Sequence, residues 1–150
     1  MKHYPTLAGL EALVGQELGL TDWISIDQQR IALFAQATGD HQWIHVDPAR
    51  AAAGPFGATV AHGFLTLSLL PLFFERSFAI DDVRLGINYG LNKVRFTAPV
   101  RVGSRLRGRF VLCGFQALEG GAQLTVEATI ELEGSERPAC VAETVSRRYV

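Results

Sequence analysis

Apolar residues recur along this chain with two different periods. In the first half, Ile31, Phe34, Ala35 and Thr38 return at the spacing of one helix face until Gly39 stops the pattern. Ser25 with Gln28 three positions on reads as a capping box for that helix. Asp40 is then delivered at the helix exit. Asp47-Pro48 opens a further turn or short helical piece, and Gly54-Pro55-Phe56-Gly57 is a loop. Residues 61–76 are apolar almost all round, as a helix enclosed by protein must be. Pro71 removes a helical hydrogen bond, so it is expected to kink or divide this helix near its C-terminal third.

The second half alternates. Leu106, Gly108, Phe110 and Leu112 interleave with Arg105, Arg107 and Arg109, and Leu124, Val126, Ala128, Ile130 and Leu132 interleave with Thr125, Glu127, Thr129 and Glu131. These are half-buried antiparallel strands. Gly120-Gly121 and Gly134-Ser135 supply hairpin turns, and residues 92–100 and 139–148 read as further strands. One face of each strand is expected to cover the apolar helix, which makes the fold class α+β.

Composition narrows this picture without changing it. With 150 residues, 48% of them apolar and 19% charged, residues 1–150 are expected to form a single globular domain. A net charge of -1, with basic residues spread from Lys2 to Arg148, gives no overall drive towards nucleic acid or anionic membrane. Cys113 and Cys140 lie in strand-like segments without zinc spacing, so both read as small core residues in a reduced, cytoplasmic interior. The N-terminus carries no export pattern. Residues 56–74 are rich in apolar side chains, but His62 and several Gly and Pro residues interrupt them, so no membrane span is expected.

The candidate chemistry lies in "ATGDHQWIHVDPARAA", residues 37–52, where Asp40, His41, His45 and Asp47 crowd together on connecting segments. Metal site, acid/base pair and inert polar loop are the three readings. The spacing matches no HExxH-type motif and offers no closed four-ligand set, so no metal is expected. His41 reads as a solvated loop residue. Ahead of the apolar helix, "AHGF" places Gly63 where unpaired N–H groups and a positive helix end suit a developing oxyanion; the glycine equally suits tight helix packing. His62 reads as a structural residue at the helix start.

Four segments, "FAQATGD", "IHVDPARAA", "AHGFLTL" and "VRFTAPVRVGSRL", carry a resemblance over nearly the whole chain to the MaoC-like dehydratase family, and to its (R)-specific enoyl-CoA hydratases. The resemblance implies a hot-dog fold, an antiparallel β-sheet wrapped around a long central helix. Gly39, Asp40, His45 and Ala51 match the family signature; Gln42-Trp43 stands where the family usually has Asn-Pro. By this resemblance the chain adds water to a trans-2-enoyl-CoA to give a 3-hydroxyacyl-CoA. Asp40 and His45 would hold the water as an acid/base pair, and the Gly63 amide would meet the thioester oxygen. Coenzyme A belongs to the substrate and no separate cofactor is expected. Lys93 and Arg95, alternating onto one strand face, are candidate contacts for its phosphates. An open sheet edge and the family's habit both point to a homodimer or a dimer of dimers. A hot-dog acyl-CoA thioesterase and a non-catalytic acyl-thioester-binding subunit are the alternatives.

Overall fold

A computed structural model describes residues 1–150. In chain order its elements are β1 (Lys2–Tyr4), a 3-10 turn at Ala8–Leu13, β2 (Glu17–Leu20), β3 (Ile24–Ser25), α1 (Gln28–Thr38), α2 (Trp43–Val46) and α3 (Pro48–Ala52). There follow α4 (Gly63–Ser68), α5 (Leu70–Ser77), β4 (Phe78–Ile80), β5 (Leu85–Phe96), β6 (Arg105–Leu118), β7 (Gly121–Leu132) and β8 (Cys140–Tyr149). The sheet has the order β2-β6-β7-β8-β5, with β3 also against β6, and every pairing in it is antiparallel. This is the expected α+β hot-dog architecture. One exception stands apart: β1 and β4 form a short parallel pair, Lys2 opposite Phe78.

The strict alternation of β6 and β7 decides which face is buried. Leu106, Phe110, Leu112, Leu124, Ala128 and Ile130 are all almost fully enclosed, and α4 and α5 lie across them. At Gly108 a Cβ would stand 2.8 Å from Cβ of Phe73, so only glycine lets α5 come this close. Phe74 stacks on Phe110 with ring centroids 4.2 Å apart. The helix thus anchors on the sheet through aromatic rings, and its N-terminal end is held in a fixed place.

Several expectations are corrected in detail. The central helix divides at Leu69, earlier than the C-terminal third, because Pro71 falls in the first turn of α5, where a missing N–H breaks no bond. Asp27, not Ser25, caps α1, accepting from the Arg30 N–H at 2.8 Å. The strand expected over residues 92–100 begins at Leu85 and stops at Phe96. Cys113 is exposed at an irregularity between Leu112 and Gly114, whereas Cys140 is buried and its thiol is pushed up to about 11 by desolvation. No helix is long and apolar enough to cross a membrane.

Candidate active site

The site forms where α1, α2 and α4 meet beside the open end of the sheet. Gly39 ends α1 in the left-handed region (φ 81°), its N–H bonded to the Ala35 carbonyl, and the chain turns so that Asp40 follows at once. The Asp40 carboxylate accepts one local bond, from the Gln42 N–H at 3.3 Å. Trp43 opens α2 and packs away from the carboxylate, with Gly54 under its ring and the Arg50 guanidinium 4.4 Å from its centroid. The bulk at Trp43, where the family has Pro, is absorbed on that side. Asp47 is taken up as the cap of α3 and His41 is exposed, so neither joins the site.

His45 lies in α2 rather than on a loop, and it is buried. Its Nδ1 is 2.6 Å from the Val60 carbonyl. A carbonyl only accepts, so Nδ1 carries the proton and the neutral ring presents Nε2 as an acceptor. Gln28 pins the same turn from α1, donating to the His45 carbonyl at 2.8 Å. That use of Gln28 replaces the backbone-capping role its spacing suggests. Burial is the main cause holding His45 below the ordinary histidine range; the Val60 hydrogen bond opposes it, the His62 charge adds to it and the Asp40 charge opposes it.

His62 is the residue that sequence reasoning leaves aside and the fold brings in. It does not cap α4. Its Nε2 donates to the Asp40 carbonyl at 3.0 Å, its ring stacks on His45 with centroids 3.7 Å apart, and Phe34 covers it. By the same logic Nδ1 is left as an acceptor, and it is buried without any partner. Ring nitrogens of His45 and His62 and a carboxylate oxygen of Asp40 all lie within 4.8 Å of one another. The available signal was His62's place directly before Gly63, the residue singled out for the oxyanion.

Polar groups that lie within 4.8 Å of one another can share one bridging water molecule, which has two protons to give. By donor type the trio also resembles a metal centre. Stacked rings 23° from parallel, however, aim their in-plane lone pairs side by side and not at a common ion.

His45 and Gly63 share the wall of a cavity of about 340 Å³ with Val60, Thr66, Phe96 and Pro99, mostly apolar in lining; Asp40 joins them through the cluster and not through that wall. A Cβ at Gly63 would come 3.0 Å from the Phe96 ring, a tight contact that favours glycine for packing here as well as for exposing its N–H. As the first residue of α4, Gly63 has no intrahelical acceptor for that N–H. Lys93 and Arg95 are not brought to the cluster. Both are exposed, and the Arg95 guanidinium donates back to the Val94 carbonyl at 2.7 Å, while Phe96 faces Gly63. A second hollow of about 380 Å³ lies farther along the helix and contains none of the three cluster residues.

Residues 10–134 match the family model described as a MaoC like domain. The chain is 55% identical over 148 residues to the 3-hydroxyacyl-thioester dehydratase Z of Mycobacterium tuberculosis, covering 98% of each chain. It is 51% identical to nodulation protein N of Rhizobium leguminosarum bv. viciae, covering 96% of this chain and 91% of that one. Among solved structures, the (R)-hydratase from A. caviae involved in PHA biosynthesis superposes with a TM-score of 0.69 at 25% identity, over 89% of this chain and 94% of that one.

Proposed function

The chain belongs to the MaoC-like domain family and is a hydro-lyase, and from that premise we propose that it is an (R)-specific enoyl-CoA hydratase, adding water to a trans-2-enoyl-CoA to give a 3-hydroxyacyl-CoA. The observation that carries this reading is the convergence of Asp40, His45 and His62 within 4.8 Å, beside an apolar cavity that His45 and Gly63 both line.

In this reaction the water oxygen bonds to C3 as one of its protons passes to the site, the electron pair of the double bond moves to C2 and onto the thioester oxygen, and a proton returns to C2. Asp40 and His45 orient the water and take its proton, Asp40 as the acceptor and His45 as the transfer partner. His62 holds the Asp40 backbone and the His45 ring in place. The Gly63 N–H meets the thioester oxygen as negative charge gathers on it. No metal and no cofactor beyond the coenzyme A of the substrate enters this scheme. Lys93 and Arg95 serve the coenzyme A phosphates, which a long flexible arm separates from the thioester; their place outside the cavity accords with that distance.

The free edge of β5, with Leu85, Ile87, Tyr89 and Leu91 exposed, supports a homodimer in which two sheets join edge to edge. Crotonyl-CoA tests the reaction. Enoyl absorbance is expected to fall without release of free thiol, to persist after chelation, and to yield the (R)-3-hydroxy product. Thiol release would assign a thioesterase instead, and binding without turnover a non-catalytic subunit.

A further inference from the structure

The inner face of β8 changes character along its length. Cys140 and Ala142 are apolar; Thr144, Ser146 and Arg148 continue the same face. Arg148 crosses Gly86, its opposite number on β5, where a Cβ would collide with Nη1. Its guanidinium is paired with no acceptor in the chain, and Nε is completely buried. Desolvation accordingly pulls its pKa below the ordinary arginine value. A half-buried guanidinium whose Nε is enclosed without a partner is costly, and it is most simply tolerated where a ligand supplies the anion.

The surroundings match such a ligand. Arg148 borders a hollow of about 360 Å³ with Glu75, Asn88, Phe78 and Val83. That hollow shares Pro71, Phe74 and Asn88 with the neighbouring one of about 380 Å³, which Leu67, Leu70, Thr144 and Ser146 also line, together with Leu91 of the β5 edge proposed above as the homodimer contact. Each is the size of a small-molecule pocket; the one along α4 and α5 is mainly apolar, and the one at Arg148 is evenly mixed, with Glu75 on its wall. An apolar slot ending on a forked, permanently charged donor suits one chemistry above others.

We propose that these joined hollows bind a ligand with a carboxylate at the end of an apolar chain, and that Arg148 clasps the carboxylate. Two sources share this chemistry: the far end of an acyl chain on the substrate, which rests on the proposed reaction, and a free fatty carboxylate, which does not.

Calorimetric titration of the full chain with decanoate and with decanol tests the site without reference to activity. Decanoate is expected to bind at least about tenfold tighter than decanol, and Arg148→Met to erase that preference. Equal binding of the two probes to the wild type, or a preference that survives Arg148→Met, overturns the proposal. Arg148→Lys, which keeps the charge and loses the fork, should retain part of the preference and covers the case in which the Met variant fails to fold. If Arg148→Met instead shifts the sedimentation coefficient towards a smaller species, the arginine is a subunit contact and the proposal fails. A kinetic comparison then separates the sources. A higher kcat/KM for an enoyl-CoA with a terminal carboxyl than for its methyl-ended counterpart, lost in Arg148→Met, assigns the site to the substrate tail. Equal kcat/KM with decanoate binding intact assigns it to a separate carboxylate. Absence of any hydration would refute the proposed reaction and leave the calorimetric result standing.

Discussion

On the outer face of β6 and β7 Arg107, Arg109, Glu131 and Glu17 form a matched network. Arg107 Nε donates to Glu131 at 2.6 Å, Arg109 Nε to the other Glu131 oxygen at 2.8 Å, and Arg109 Nη1 to Glu17 at 2.9 Å, while Trp23 lies beneath the Arg107 guanidinium. Around His45 the reverse holds. The Asp40 carboxylate is exposed and receives a single long bond from Gln42, and His62 Nδ1 is buried with none. Unmatched polar groups in a protein interior are destabilising, so a fold keeps them where a ligand completes them. The sheet's matched network stabilises the scaffold, whereas the proposed site carries an unmatched buried nitrogen.

Exchanging one atom at the cluster should therefore abolish function and spare the fold. Asp40→Asn keeps the shape but places an amide where an acceptor is needed. Its hydration rate is expected to fall by about 10²- to 10⁴-fold, with the thermal midpoint unchanged or raised. His45→Gln should behave alike. An Asn variant that unfolds rather than inactivates would make the cluster structural and erase the contrast. Phe110→Ala tests the opposite side: a fully buried ring under α5 is lost, at a cost of about 3–5 kcal/mol in denaturant unfolding, while the fraction still folded keeps its rate.

The same contrast explains what could be read from the sequence. Strands β6 and β7 were legible because a period-two pattern with one buried face allows one register, and Gly120 and Gly134 mark turns that need positive φ. The proximity of Asp40 and His45 was legible through local spacing. His62 was not, because what places it against Asp40 is a tertiary contact between residues 22 positions apart, and no periodicity encodes that contact. The β1–β4 pair escaped for a related reason: three residues pairing with a strand more than seventy positions away carry no alternation to detect. Gln28 was misassigned because its side chain had two nearby tasks, and the carbonyl of His45 won over the backbone cap.

A smaller effect belongs to the matched network. In Glu131, burial alone would raise the pKa, but hydrogen bonds and charge from Arg107 and Arg109 win and hold the carboxyl below its ordinary range. Its folded pKa is lower than its unfolded one, so its contribution is complete above the unfolded value of about 4.3 and fades as pH falls through the folded value. Glu131→Gln should cost about 1–2 kcal/mol at pH 7, and the gap from the wild type should close under acid. Hydration should be unaffected; a large loss of activity here would mean that the two regions are coupled after all.

The smallest shift sharpens the contrast most, because it falls within the cluster and separates positioning from packing. His62 lowers the pKa of His45 by charge, behind the larger effect of burial, so removing it should let His45 keep its proton to higher pH. His62→Gln retains a donor for the Asp40 carbonyl. If neutral His45 takes part in proton transfer, the acid limb of kcat/KM moves upward by less than about one pH unit. The sign in stability follows the same pKa. The unfolded chain binds His45's proton at about 6.5 and the folded chain only at lower pH, so wild-type stability declines as pH drops below that value, and the variant should decline less. Lost activity at every pH with an unmoved limb would show that His62 merely packs.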